Sequence, residues 1–350
     1  MKKNFWMLLS SVILFFCAGA QAQVVQEGEL ALVYYMPYTN MTVELTVEKE
    51  ILKAGPFCHF AEEFLGVYEY IEQDEVNYRL KSAEIHTYTA PDYNRPVKIV
   101  AENDVPMQLL TLTEKGLLYG FNVPMPEKEP KKPVADRKDK KDDHYPQIAP
   151  YTEDHMKTQS LREMAEVTAK QIYRIRENRM YILGCEVEKA PADGKAMKTV
   201  LEELDKQERQ LVELFIGTRS VKVHHHTYQC APDKNGETVL ARLDKKAGLM
   251  NADSEQGEPI LLNTQVHKQV LGASTGVVDK KAPKASSLYY NLPGSCIATV
   301  SYMGVEKATR NFPVAQLGVS VPLARNLFTG KTLPEILFNT KTGEVKSITK

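Results

Sequence analysis

The sequence predicts an α+β protein: two β-rich, sandwich-like parts with a long antiparallel helical hairpin between them. Three observations predict it. In residues 41–49, Val43, Leu45 and Val47 alternate with Thr42, Glu44, Thr46 and Glu48, the period of two that puts apolar groups on one face of a strand. Between residues 156 and 217, apolar residues recur instead at three- and four-residue steps, which make one stripe on a helix. From residue 218 to the end, short β-type runs return, broken by Gly, Pro and Asn, the rhythm of a sandwich or a partly open barrel.

The chain opens with Lys2 and Lys3, an apolar stretch over 5–16, and the small residues Ala18-Gly19-Ala20-Gln21-Ala22. This is the three-part pattern of a secretory signal, so residues 1–22 read as a signal peptide cleaved near Ala20 or Ala22. The apolar core is about 12 residues, short of the roughly 20 that span a bilayer as a helix, which disfavours a retained anchor. Cys17 raises a lipoprotein alternative, but the residue before it is Phe16 where such a site wants a small side chain. The expectation is therefore an exported protein, periplasmic or associated with the outer membrane, with no transmembrane helix in residues 23–350.

Residues 23–123 read as an N-terminal β-rich domain with one short helix. That helix falls at 56–65, where Pro56 suits a first helical position and Gly66 a stop. A hairpin is expected over 108–121, turning at Glu114-Lys115-Gly116. Residues 124–150 differ in kind: Pro126, Pro130 and Pro133 are interleaved with runs of Lys, Asp and Glu, with almost nothing to bury. Such a segment cannot offset its own ordering entropy and reads as a flexible loop.

Residues 151–217 read as the helical hairpin. Leu161, Met164, Thr168, Ile172, Ile175, Arg179 and Ile182 form one stripe, and Met197, Val200, Leu201, Leu204, Leu211, Leu214 and Phe215 another. Pro191-Ala192-Asp193-Gly194 separates them, with Asp193 as candidate N-cap, and Gly217 closes the second helix. If residues near 184 and 195 face each other, Arg176 meets Glu203 and Arg174 meets Asp205 in interhelical salt bridges.

Residues 218–350 read as the C-terminal β-rich domain, with strands at 220–227, 238–243, 260–267, 296–302 and 316–321. A final hairpin, 335–339 with 344–348, turns at Lys341-Thr342-Gly343. One internal echo stands out. Val33-Tyr34-Tyr35-Met36-Pro37 and Leu288-Tyr289-Tyr290-Asn291-Leu292-Pro293 each precede an alternating run. In an extended segment the two tyrosines of a pair face opposite ways, one ring toward a core and one toward a surface suited to a peptide or polymer; the competing reading is ordinary β-sheet aromatics.

The net charge is −1, without a basic face, which argues against nucleic acid as partner. Cys58, Cys185, Cys230 and Cys296 follow the signal with no CxxC pair; four cysteines allow three pairings, and buried thiols compete with disulfides. Weak metal candidates are His224 and His226, which share one face of a strand while His225 takes the other; His86, His267 or a carboxylate would have to complete the site. The competing reading is a solvated polar strand. Catalytic signatures such as HExxH, a Walker loop or a helix-opening GxGxxG do not occur. Cys58-His59 would point apart on a short helix, and Glu62-Glu63 and Asp74-Glu75 are common kinds of pair. No catalytic residue and no cofactor is assigned.

The run Tyr34-Tyr35-Met36-Pro37, the segment from Ala54-Gly55-Pro56-Phe57 to Phe64-Leu65-Gly66, and that from Pro191-Ala192-Asp193-Gly194 to Leu214-Phe215-Ile216-Gly217 resemble an exported family of Bacteroidetes proteins, a domain of unknown function. Leu292-Pro293-Gly294 and Pro313-Val314-Ala315-Gln316 resemble its C-terminal part. The resemblance implies a Gram-negative envelope location and brings no activity, substrate or site residue. The function expected is a non-catalytic binding or structural module, its partner an envelope protein or polymer; the alternative is an envelope hydrolase with a site built from dispersed residues.

Overall fold

Two long antiparallel hairpins organise the β structure. The computed structural model describes residues 31–100, 105–126, 151–184, 194–270 and 285–350. The first hairpin pairs β1 (Ala31–Lys53) with β2 (Glu75–Val100). Between its strands lie a 3₁₀ turn (Cys58–Phe60) and α1 (Ala61–Leu65), which ends at Gly66 in the left-handed conformation as the sequence predicts. β3 (Leu110–Leu112) and β4 (Leu118–Phe121) form the small hairpin expected at 108–121. Then come α2 (Glu153–Met156), α3 (Leu161–Leu183) and α4 (Gly194–Ile216). β5 (Thr218–Cys230), β6 (Gly236–Asp244), β7 (Gly248–Met250) and β8 (Glu258–His267) follow. The second long hairpin is β9 (Ala285–Tyr302) with β10 (Val305–Ala324), and the chain closes with β11 (Glu335–Phe338) and β12 (Val345–Thr349). The protein is thus α+β, with the helical pair between β-rich sheets.

Three sheets result, ordered β2-β1-β5, β10-β9-β8-β6-β7 and β12-β11-β4-β3. Strands from residues 31–123 and from 218–350 share two of them: β5 pairs with β1, and β11 pairs with β4. A β1 of 23 residues is several times the usual strand length and does not stay flat. Register shifts between Tyr35 and Met36 and between Thr46 and Val47 interrupt its pairing with β2, and such bulges increase bend and twist. β10 slips similarly between Val314 and Val319.

The bends let each long strand serve two cores. The first core lies between the first two sheets: Met41, Val43, Leu45 and Val47 of β1 meet Cys296, Ala298 and Val300 of β9 and Phe312 and Val314 of β10. The second is built by the opposite ends of the same strands, Tyr34 and Met36, Ile99, Leu288 and Leu323, with Phe121, Ile336 and Phe338 of the third sheet. The tyrosine echo thereby acquires a structural meaning. Tyr34 is buried and its hydroxyl donates to Tyr289 O at 2.8 Å and accepts from Tyr289 N at 2.9 Å. Tyr290 packs against the same core, whereas Tyr289 is exposed and Tyr35 stacks edge-on against Tyr93.

Polar groups hold the crossing between the cores. Gln316, in the slipped stretch of β10, accepts from Thr39 N and donates to Thr39 O, both at 2.9 Å, so its amide stands in for a paired backbone. It also donates to Asp233, which accepts from the Tyr38 hydroxyl; burial, reinforced by that carboxylate, pushes the Tyr38 hydroxyl up to about 12. Asn291 is fully buried and its Nδ2 donates to Ala315 O and Thr342 O.

The helices form a third core at their base: Ala165, Ala169 and Ile172 of α3, Leu211 and Phe215 of α4, and Phe57 and Ala61. Ser160 caps α3 by accepting from Glu163 N. His155 is buried beneath it; its Nδ1 accepts from Thr152 N and its Nε2 lies 3.0 Å from the Thr168 hydroxyl, and burial pushes its pKa down. Gly55 and Gly217 permit the docking. A Cβ on Gly55 would lie 2.2 Å from Leu214 O, and Gly217 combines φ +82° with a Cβ position 2.3 Å from Lys53 O.

The interhelical pairs predicted from sequence are corrected. Arg176 pairs with Glu208 at 2.6 Å, and Arg179 with Asp205 at 2.7 Å and with Glu208, rather than Arg176 with Glu203 and Arg174 with Asp205. The helices are offset by more than a turn from the assumed facing of 184 and 195, because the apolar base brings Ile172 and Ala169 together with Leu211 and Phe215. The linker stretch 185–193, including Cys185 and the candidate cap Asp193, lies outside the described residues, as do residues 1–22, expected as a signal peptide, and residues 127–150 of the charged stretch. Among the described residues no helix is long and apolar enough to cross a membrane.

Candidate functional site

A large cleft opens where the three sheets meet. It measures about 900 Å³ and takes its walls from Thr39 of β1, Thr87, Tyr88 and Thr89 of β2, the β3–β4 turn, Met125 and Pro126, residues 310–313 of β10, and the β11–β12 turn. Four of these stretches are fixed locally. Thr89 and Tyr88 lie opposite Thr39 and Asn40 in the first hairpin. The turn at Glu114-Lys115-Gly116 is closed by Thr113, whose N–H donates to Leu117 O and whose hydroxyl accepts from Leu117 N; Tyr35 N donating to Gly116 O ties it to β1. The turn at Thr340-Lys341-Thr342 is held by Asn339, whose side chain accepts from Lys341 N at 3.0 Å. Arg310 is anchored by donating to Ile85 O.

This wall has a definite chemistry. Phe312, Pro313, Leu117 and Met125 supply carbon, six threonines supply hydroxyls beside methyls, and Tyr88 supplies a ring that is 44% exposed. Lys115, Arg310 and Lys341 set three cations against the single carboxylate of Glu114. The combination suits a ligand with an extended body, hydroxyls or amides along it, and negative charge. Sequence reasoning missed this site. Its only local trace is the threonine-rich character of Thr87-Tyr88-Thr89 and Thr340-Lys341-Thr342.

The sequence-derived candidates fall elsewhere. All three histidines of the cluster lie in β5, at one edge of the first sheet. His224 and His226 sit opposite Val47 and Leu45, on the inward side of β1, and His225 sits opposite Thr46, on the outward side. His225 Nδ1 lies 2.9 Å from a Glu44 oxygen. His86 is on that outward face too, 3.3 Å from Glu84 and 4.0 Å from Glu44, so it is aligned with His225 and not with the pair it was to complete. His267 lies in the second sheet. Among the described residues no group of three or more potential ligands could hold a metal ion.

Cys58 is buried while His59 is exposed. Cys58, Cys230 and Cys296 are free thiols, and burial pushes those of Cys230 and Cys296 up, the latter to about 11. Of the acidic pairs, Glu63 binds Arg162, Glu75 binds Lys246, and Asp74 accepts from Ala54 N at 2.8 Å, so these carboxylates serve the fold. Glu48, shielded beneath Lys81 and Arg79 at 2.8 and 2.6 Å, is held below the ordinary carboxylate value by hydrogen bonds from both.

The model of a protein family described as a domain of unknown function, DUF4831, matches residues 31–346. No curated protein and no solved structure matches the chain.

Proposed function

Because the chain belongs to the DUF4831 family, a domain of unknown function that brings no activity with it, we propose a role from its own residues: an exported cell-envelope protein that binds an anionic envelope polymer without transforming it. Export is read from Lys2, Lys3 and the apolar stretch that follows them. The observation that carries binding is the cleft at the junction of the three sheets, with its threonine-rich wall, exposed Tyr88 and excess of cations. A site that includes four separately braced stretches is held by the scaffold rather than by one loop, which favours a preformed surface.

The test is calorimetric titration of the mature protein with acidic and neutral glycan fragments, repeated on a Lys115→Ala/Lys341→Ala variant. Saturable binding of the acidic fragments is expected, weakened about tenfold in the variant, which corresponds to about 1.4 kcal/mol. Mass spectrometry of the recovered fragments should find them intact. Equal affinity in both proteins would remove the cleft from the account, and cleaved fragments would replace binding by hydrolysis.

A further inference from the structure

We infer that β5 is a docking edge that accepts an extended acidic segment of a partner protein as an added strand. Topology supplies the first observation. Among the described residues β5 pairs only with β1, so one whole side of a 13-residue strand carries backbone donors and acceptors with no neighbouring strand among them. Such an edge is a template for strand addition, and folded proteins ordinarily blunt it with proline, bulges or short length.

The other long edges of these sheets are blunted in that way. β2 contains Pro91 and Pro96 and pairs with β1 through two register shifts. β10 contains Pro313 and Pro322 and pairs with β9 through three. β5 contains neither proline nor glycine and runs in unbroken register with β1 from Thr218 to Cys230. It is the long edge kept regular.

Charge then selects the occupant. β5 carries Arg219, Lys222 and three histidines and not one carboxylate. Arg219 is engaged by Glu50 and His225 by Glu44, both on β1. Lys222 makes no ion pair among the described residues, and it is exposed on the same side of the strand as His224. Charges on an edge normally repel every incoming strand, but charges of one sign discriminate. A second copy of β5 would bring cations against cations, whereas a strand with acids at alternate positions would meet Lys222 and His224 favourably. Val221 and Val223, exposed on the other side, offer apolar contact to the alternate residues of that strand.

The probe is a short synthetic peptide alternating glutamate with valine, compared with its lysine counterpart and with a version N-methylated along one edge. Fluorescence anisotropy on the mature protein should show binding of the glutamate peptide, with the lysine and N-methylated peptides at least about tenfold weaker. In a Lys222→Glu/His224→Glu variant the preference should reverse toward the lysine peptide, an outcome that also proves the variant folded. Equal binding of glutamate and lysine peptides, or undiminished binding of the N-methylated one, overturns strand addition. So does sedimentation showing the protein to be a dimer joined through β5. Calorimetry with glycans reads the cleft, so the two proposals fail separately.

Discussion

The helical hairpin and the β body are held together in opposite ways. Each long helix is continuous along its length and attaches through one apolar foot, Ala165 to Ile172 on α3 and Leu211 to Phe215 on α4. Beyond that foot the arm is exposed: Met180 is 73% and Leu183 62% accessible. The body has strands that are individually irregular, shifted in register and bent, yet each of the four longest contributes to two cores. A helix satisfies its own backbone and needs only a place to stand, whereas a bent strand is defined by what lies on either side of it. The lesson is that continuity within an element and integration within the fold are separate properties.

The comparison breaks most visibly at Phe215. It is fully buried in the foot, against Phe57 at 5.4 Å between ring centroids. Phe215→Ala should destabilise the protein by about 3–5 kcal/mol, as large-to-small changes at packed aromatics do. Urea unfolding measures that loss. Hydrogen exchange should then rise in 161–172 and 207–216 while β1 and β9 keep their protection. Equal loss of protection in those strands would show that arm and body unfold as one unit.

Asn291 tests the body from the inside. Its amide donates to Ala315 O and Thr342 O, and its own N–H donates to Gly343 O, so one residue joins β9, β10 and the last turn. Asn291→Ala leaves two buried carbonyls without these donors and should cost about 1–3 kcal/mol. Because the crossing serves both cores, exchange should accelerate around Val300 and around Ile336 together, with the helical foot unchanged. Acceleration confined to one core would mean that the two halves of the long strands are independent.

How much was legible in the sequence follows the same division. The alternation at Val43, Leu45 and Val47 located a strand, and the stripes through Ile172 and Leu211 located two helices, because side-chain period is a local property. The length of β1 was not legible, since beyond Met41 the alternation dissolves into Tyr34-Tyr35-Met36-Pro37, where a register shift changes which residues face inward. Nor was the partner of β5 legible: the sequence shows a strand at 220–227 but not that β1 lies beside it. The cleft was hidden for the same reason, since Tyr88, Lys115, Arg310 and Lys341 come together only through tertiary contacts. The tyrosine echo was visible, but its hydrogen-bonded meeting at Tyr34 and Tyr289 was not.

The smallest effect sharpens the comparison further, because it concerns register alone. Glu208 accepts from Arg176 and lies against Arg179; burial alone would raise its carboxyl, but hydrogen bonds from the two arginines outweigh this and hold it below the ordinary value of 4.5. A double-mutant cycle between Arg179→Ala and Glu208→Ala should give a coupling of about 0.2–1 kcal/mol, since both groups retain contact with water. The cycle between Arg176→Ala and Glu203→Ala should give none. A depressed carboxyl contributes its stability above the unfolded-state value and loses it as pH falls through the folded-state value. The Arg179–Glu208 coupling should therefore be complete at neutral pH and disappear on acidification below 4.5. If the coupling appeared at Glu203 instead, the helices would lie in the register that their linker alone suggested, and Ile172 and Phe215 would not be what sets it.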